Sequence, residues 1–174
     1  MGARYSFSDV WTVDAPIDVV WTALNAHDWT TWWPDYRRIE LVRIGGDDGV
    51  GWIGRVWVRS NLPYTLVFTI EIVEVDPPRF VRTRVEGFFS GEVSWTLETD
   101  TGGGARLTLR EEVETTWPLI NVLTRLGFRG LFEANHARAM RRGERGLRRL
   151  LASERSAEPA PGHRAVRRAP PGGR

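Results

Sequence analysis

The stretch from Trp11 to Pro34, WTVDAPIDVVWTALNAHDWTTWWP, constrains this chain more than any other. It sets a strand, an Ala-Pro corner, a short helix and a tryptophan-rich loop in immediate succession. Trp11 and Val13 alternate as strand residues do. Pro16 has a fixed φ and no amide hydrogen to donate, so it suits a helix start. Asp14 and Asp18 put negative charge where the amino end of a helix favours it. Val20, Trp21 and Leu24 share one helical face, which needs an apolar partner. A second helix after Trp29 must be short, because Pro34 closes it.

Past this opening the chain reads as six strands and one long helix. A strand over roughly 36–45 is turned by GGDDG, and residues 52–60 return before Asn61-Leu62-Pro63 redirects the chain. Tyr64–Val75 is the clearest strand: Leu66, Phe68, Ile70 and Ile72 lie on one face, Thr65, Thr69 and Glu71 on the other. Val73 and Val75 fall out of phase, which predicts a bulge before Pro77-Pro78. Arg79–Glu86 and Glu92–Thr99 turn Val81, Thr83, Val85, Val93, Trp95 and Leu97 inward. Arg82, Arg84, Glu92 and Glu98 face water. Ala105–Thr116 is the last strand. Short turns and period-two alternation argue an antiparallel sheet covered on one face.

Pro118 opens a helical segment that runs to about Leu151. Phe132, His136, Ala139 or Met140, Gly143, Leu147 and Leu150 form its inner stripe, and arginines fill most of the rest. Its glycines each cost up to about 1 kcal/mol relative to alanine, so they belong where the helix kinks or passes close to other backbone. The predicted order is β-α-α-β6-α, an α+β domain over residues 1–152. Residues 153–174, with four prolines and three glycines among them, read as a disordered basic tail.

Charge divides unevenly along the chain. Residues 1–117 carry 11 arginines against 18 acidic residues, whereas residues 118–152 carry 8 against 2. All 24 basic residues are arginine. A solvated helix face accounts for the basic stretch. It also allows weak peripheral contact with anionic surfaces, and no specific nucleic acid is expected.

Several chemistries are excluded or unsupported. There is no cysteine, hence no disulfide, thiol nucleophile or thiolate metal site. His27, His136 and His163 are too scattered to hold a metal, and no cofactor is expected. Gly49-Val50-Gly51-Trp52-Ile53-Gly54 fits the dinucleotide pattern GxGxxG, but RVWVRS after it alternates as a strand, so no helix end meets a phosphate. No apolar run reaches the roughly 18 residues of a membrane span. A cytoplasmic monomer or homodimer is the expectation.

The candidate site residues are those that break or furnish the inner face. Nine tryptophans are more than a filled interior of this size uses. Trp33, in the loop, and Trp95, on a central strand, are expected to line a cavity with Phe68, Ile70, Leu109, Phe132 and Met140. Glu111 interrupts the stripe Ala105, Leu107, Leu109, Val113, Thr115. It is either turned out by a bulge or buried as a neutral, paired or hydrated group. His136 sits between Phe132 and Met140. Tyr64 is in phase with Leu66 and Phe68, and Arg55 can face either side.

Ala15-Pro16 with Trp21, Trp32-Trp33-Pro34, Leu62-Pro63-Tyr64 and Asn135-His136-x-x-x-Met140-x-x-Gly143-x-x-Gly146-Leu147 carry a family resemblance over about residues 4–152. The chain resembles the START-like (SRPBCC) superfamily, and within it the polyketide cyclase/dehydrase-like proteins. That resemblance implies a helix-grip fold, in which a curved antiparallel sheet wraps a long carboxy-terminal helix around a deep apolar cavity. It implies a ligand that is a polyketide, lipid or aromatic compound. Two further readings stay open. One is a polyketide cyclase/dehydratase, with His136 or Glu111 moving a proton and Tyr64 or Arg55 polarising a carbonyl. The other is a lipid- or RNA-associated START-like protein that uses the basic helix and tail.

Overall fold

A computed structural model of the chain describes residues 3–59, 64–117 and 129–157. Strand β1 (Arg4–Val13) leads through Asp14-Ala15 into α1 (Ile17–Asn25) and α2 (Trp29–Trp32). Six strands follow: β2 (Tyr36–Arg43), β3 (Ile53–Arg59), β4 (Thr65–Asp76), β5 (Phe80–Gly87), β6 (Phe89–Thr99) and β7 (Ala105–Thr115). Helix α3 (Arg129–Ala157) completes the fold. The strands form one seven-stranded sheet in the order β1-β7-β6-β5-β4-β3-β2, every neighbour antiparallel. The first strand thus lies beside the last, which holds both ends of the domain on one side of the curved sheet. This is the helix-grip architecture.

Local chemistry accounts for the opening. Pro16 stands at the N-cap of α1, its carbonyl accepting from the Val19 and Val20 amides at 3.1 Å, and Asp18 lies in the first turn. Val20, Ala23 and Leu24 are buried beneath it. Trp11 (2 % exposed), Val20, Leu97, Leu107 and Leu147 (each 1 % or less) centre the core between sheet and helices.

Glycine lets α3 approach the tryptophan loop. A Cβ on Gly143 would stand 2.6 Å from Trp33 and 2.8 Å from Trp11, and one on Gly146 would overlap the Trp32 carbonyl oxygen. The close approach anticipated for these glycines is therefore made against Trp11 and the loop after α2. The bulge expected near Val73 is present as a register shift between Ile72 and Glu74. The GxGxxG segment does run into a strand, β3.

Two boundaries differ from the sequence reading. Strand β6 begins at Phe89 rather than Glu92, because Gly91, at φ 155°, packs against the β7 backbone where a Cβ would meet Glu112. Helix α3 continues through Ala157 rather than ending near Leu151. Residues 153–157 are helix rather than tail, with Arg155 donating to Asp14 at 2.8 Å. The turn at Asn61–Pro63, the helical start over residues 118–128 and the tail from residue 158 lie outside the described residues.

Candidate functional site

Sheet and helix do not close on each other completely. Between them lies a cavity of about 220 Å³, larger than the ~150 Å³ apolar void known to admit benzene. Phe68, Ile70 and Ile72 of β4, Val81 and Val85 of β5, Val93 and Trp95 of β6 and Leu109 and Val113 of β7 form its floor. Phe132, Ala139 and Met140 of α3 form the roof, and Trp29, Trp32 and Trp33 close one side. Inward positions of alternating strands are apolar for the ordinary reason that they face away from water. What needs explanation is that they face space.

The aromatic walls are fixed. Trp33 is only 6 % exposed, its Nε1 donating to the Ala139 carbonyl at 3.2 Å. Trp11 meets Trp33 and Trp95 edge-on, at 5.4 and 4.9 Å between centroids. Tyr64 stacks on Phe88 and leans on Trp117, and burial followed by the nearby Tyr5 pushes its hydroxyl up to about 12. His27, at φ 54°, lies flat on Trp52 at 3.9 Å, and burial lowers its pKa, which favours the neutral ring.

Polar groups enter this apolar space in two places. His136 is sandwiched on α3, its ring stacked on Phe7 at 3.8 Å. Its Nε2 lies 3.0 Å from Asp9 Oδ2 on β1, and its Nδ1 lies 3.9 Å from Glu111 Oε2 on β7. Register explains the assembly: Phe7 pairs with Glu111 and Asp9 with Leu109, so β1 and β7 bring both carboxyls beneath one turn of α3. Asp9 as acceptor requires the hydrogen on Nε2, which leaves Nδ1 turned toward Glu111. Burial raises the Glu111 pKa, with His136 opposing and Asp9 reinforcing the shift.

The second place is an ion pair. Arg142 grips Asp35 with two bonds, Nε to Oδ2 at 2.9 Å and Nη2 to Oδ1 at 2.7 Å. Asp35 is 5 % exposed. Beside it Tyr36 packs against Trp29 and Trp33, its hydroxyl raised above the ordinary range by burial, Glu111 and Asp35.

Of the residues singled out from the sequence, Trp33, Tyr64, Phe68, Ile70, Trp95, Leu109, Glu111, Phe132, His136 and Met140 all line this cavity. Glu111 stays in phase on β7, with no bulge to turn it out. Arg55 is the exception and a correction. It is exposed on β3, on the face opposite buried Gly54 and Val56, because the strand keeps strict alternation there. Arg59 contributes to the lining instead.

Asp9, Asp35, Tyr36 and Arg142 were not singled out. The signal for Asp9 was present, since Tyr5, Phe7, Asp9, Trp11 and Val13 share one strand face. Arg142 likewise follows Asn135 and Ala139 at helical spacing.

The polyketide cyclase / dehydrase and lipid transport family matches residues 4–152. The chain belongs to this family. Solved structures of the same fold include the Zhui aromatase/cyclase from Streptomyces sp. R1128, 17 % identical, with a TM-score of 0.71 over 89 % of this chain and 98 % of that one. TTHA0849 from Thermus thermophilus is 21 % identical, with a TM-score of 0.65 over 87 % and 99 %. Ginseng major latex-like protein 151 from Panax ginseng is 14 % identical, with a TM-score of 0.64 over 86 % and 99 %. No curated protein sequence matches the chain. At these identities the structural likeness establishes the fold, and the family's chemistry must be sought in the cavity residues.

Proposed function

We propose that the protein binds a small, largely apolar ligand, a polyketide, lipid or aromatic compound, between the sheet and α3. The observation that carries this reading is a cavity walled by fixed aromatic and aliphatic side chains with a few convergent polar groups. Each 100 Å² of apolar surface buried contributes roughly 2.5 kcal/mol before association costs, so micromolar affinity, about −8 kcal/mol, is within reach of such a site. Among the described residues no helix is long and apolar enough to cross a membrane. The test is native mass spectrometry of protein purified from its own cells. It should carry an organic molecule that dissociates on activation. Protein that emerges bare and that no apolar compound stabilises contradicts the reading.

A second reading, a cyclase/dehydratase, is favoured by one feature, the position of His136 between Asp9 and Glu111. A carboxyl held toward its protonated form beside an oriented imidazole can give and take a proton at a ligand carbon or oxygen. If turnover exists, His136→Gln or Glu111→Gln should lower its rate roughly 10²–10⁴-fold with little change in affinity.

A further inference from the structure

The groups around His136 do not all face the same space. Glu111 and His136 line the cavity, and Asp9 is not part of that lining. Its side chain is nevertheless 27 % exposed. Asp9 stands on β1, an edge strand with a neighbour on one side only, so what exposes it is bulk water at the free side of the sheet. The three groups therefore cross the cavity wall in file. His136 is the middle one: its Nε2 meets Asp9 Oδ2 at 3.0 Å, and its Nδ1 looks to Glu111 Oε2 at 3.9 Å. Stacking on Phe7, with 3.8 Å between centroids and 13° between planes, holds the ring edge-on to both carboxyls.

We propose that Asp9, His136 and Glu111 form a proton path through the wall between β1 and α3, with Asp9 as its solvent end and Glu111 as its cavity end. The path serves the ligand cavity proposed above and does not depend on what fills it or on turnover. Outward transfer breaks the Glu111 O–H bond and forms an N–H bond at His136 Nδ1. The Nε2–H bond breaks in turn, its proton joins the Asp9 carboxylate, and Asp9 releases one proton to water. Glu111 has then lost one proton and water has gained one. The ring keeps one hydrogen, now on Nδ1, and inward transfer is the reverse.

Three features support the path. A neutral imidazole accepts at one nitrogen and donates from the other, which suits it to the middle position. Burial favours the protonated form of Glu111, which supplies the proton to be moved. The 3.9 Å gap exceeds a hydrogen bond and closes with a shift of about 1 Å, for which a side chain bordering open space has room. The other ionisable groups nearby do not compete. Tyr36 of β2, raised by burial and by Glu111, holds its hydrogen, Arg142 is gripped by Asp35, and Glu133, a turn earlier on α3, is exposed. An apolar guest displaces water from the cavity, and the path keeps Glu111 in exchange with bulk solvent while the guest is in place. Asp9 acts through His136 and is a positioning residue.

The test reads the hydrogen on each His136 nitrogen by long-range 1H–15N NMR of the full chain, labelled with 15N-histidine, across about pH 4–9. The chain has three histidines, and His136→Gln assigns the ring in question. In the neutral ring of the wild type, hydrogen should sit on Nε2 while Glu111 is protonated and move to Nδ1 as Glu111 ionises. The more buried carboxylate then needs the N–H more than the partly exposed Asp9 does. Glu111→Gln cannot ionise and should keep Nε2–H. Asp9→Asn retains an acceptor oxygen but takes up no proton, so exchange between the tautomers should slow at least about tenfold and split the averaged His136 signals. Asp9→Glu, which returns the carboxyl, should restore one averaged set. A wild-type ring that holds Nε2–H at every pH at which it is neutral, or a switch that persists in Glu111→Gln, overturns the path. Exchange as fast in Asp9→Asn as in the wild type also overturns it, because Glu111 then reaches water through the cavity. Should Asp9→Asn fail to fold, the wild type and Glu111→Gln still decide. No ligand enters the experiment, so loss of the path leaves the ligand-binding reading standing, and a chain that shows the switch keeps the path whether or not that reading survives.

Discussion

Glu111 is the residue on which most of the site chemistry turns, because it is a carboxyl placed where burial opposes its charge. In the folded chain it holds its proton more tightly than in the unfolded chain. Stability must therefore fall as pH rises from the ordinary carboxyl range through the raised folded value, and this contribution is level below that range. Glu111→Gln removes the ionisation. Urea unfolding across pH should show the variant gaining on the wild type as pH rises above about 4, with no such gain below it. Asp35 is a different case, a buried carboxylate held by two bonds from Arg142. Arg142→Met strands that carboxylate and should cost about 2–3 kcal/mol, less than the roughly 3–5 typical of fully buried pairs because Arg142 is 26 % exposed. Adding Asp35→Asn to Arg142→Met should recover part of the loss in the same unfolding assay, as a coupled pair requires.

At the scale of elements, helix α3 is held in place by what its glycines lack. In a solvated helix, Gly→Ala stabilises by up to about 1 kcal/mol. Gly130→Ala should do so, because nothing lies within 4 Å of a Cβ there. Gly146→Ala should instead destabilise by about 1–3 kcal/mol, since its methyl runs into the Trp32 carbonyl and must push helix and loop apart. Thermal unfolding of the two variants, with opposite signs expected, checks the account of the helix–loop contact. Elements of this kind were legible in the sequence where one periodicity acted alone, as along β4, β7 and the inner stripe of α3. They were misplaced where backbone decided, as when Gly91 lets β6 start early. The site was legible to a similar degree. Glu111 and His136 stood out as polar residues on apolar stripes. Asp9 obeyed the same rule but lay between tryptophan and phenylalanine in a strand read mainly for its fold. Asp35 and Arg142 became a pair only through the contact of the loop after α2 with α3, at a separation of 107 residues, and no local pattern records such a contact.

For the whole molecule, the sheet order explains why a cavity exists at all. Seven strands with β1 and β2 at opposite edges curve around one helix, and a single helix cannot fill that concave face. Tryptophan-rich packing fills the end near α1 and α2, and the middle is left open beneath Phe132 and Met140. The central claim is that this opening receives an apolar guest, and thermal unfolding in the presence of 1-naphthol or a comparable neutral aromatic tests it most directly. At a ligand concentration near 100 times Kd the folded state gains about 2.7 kcal/mol. For a chain of this size that is a rise in Tm of roughly 5–10 °C, accompanied by saturable quenching of tryptophan fluorescence. An unchanged Tm across a panel of neutral aromatic, polyketide-like and lipid compounds would contradict the account, and would show that the space between sheet and helix is closed in solution.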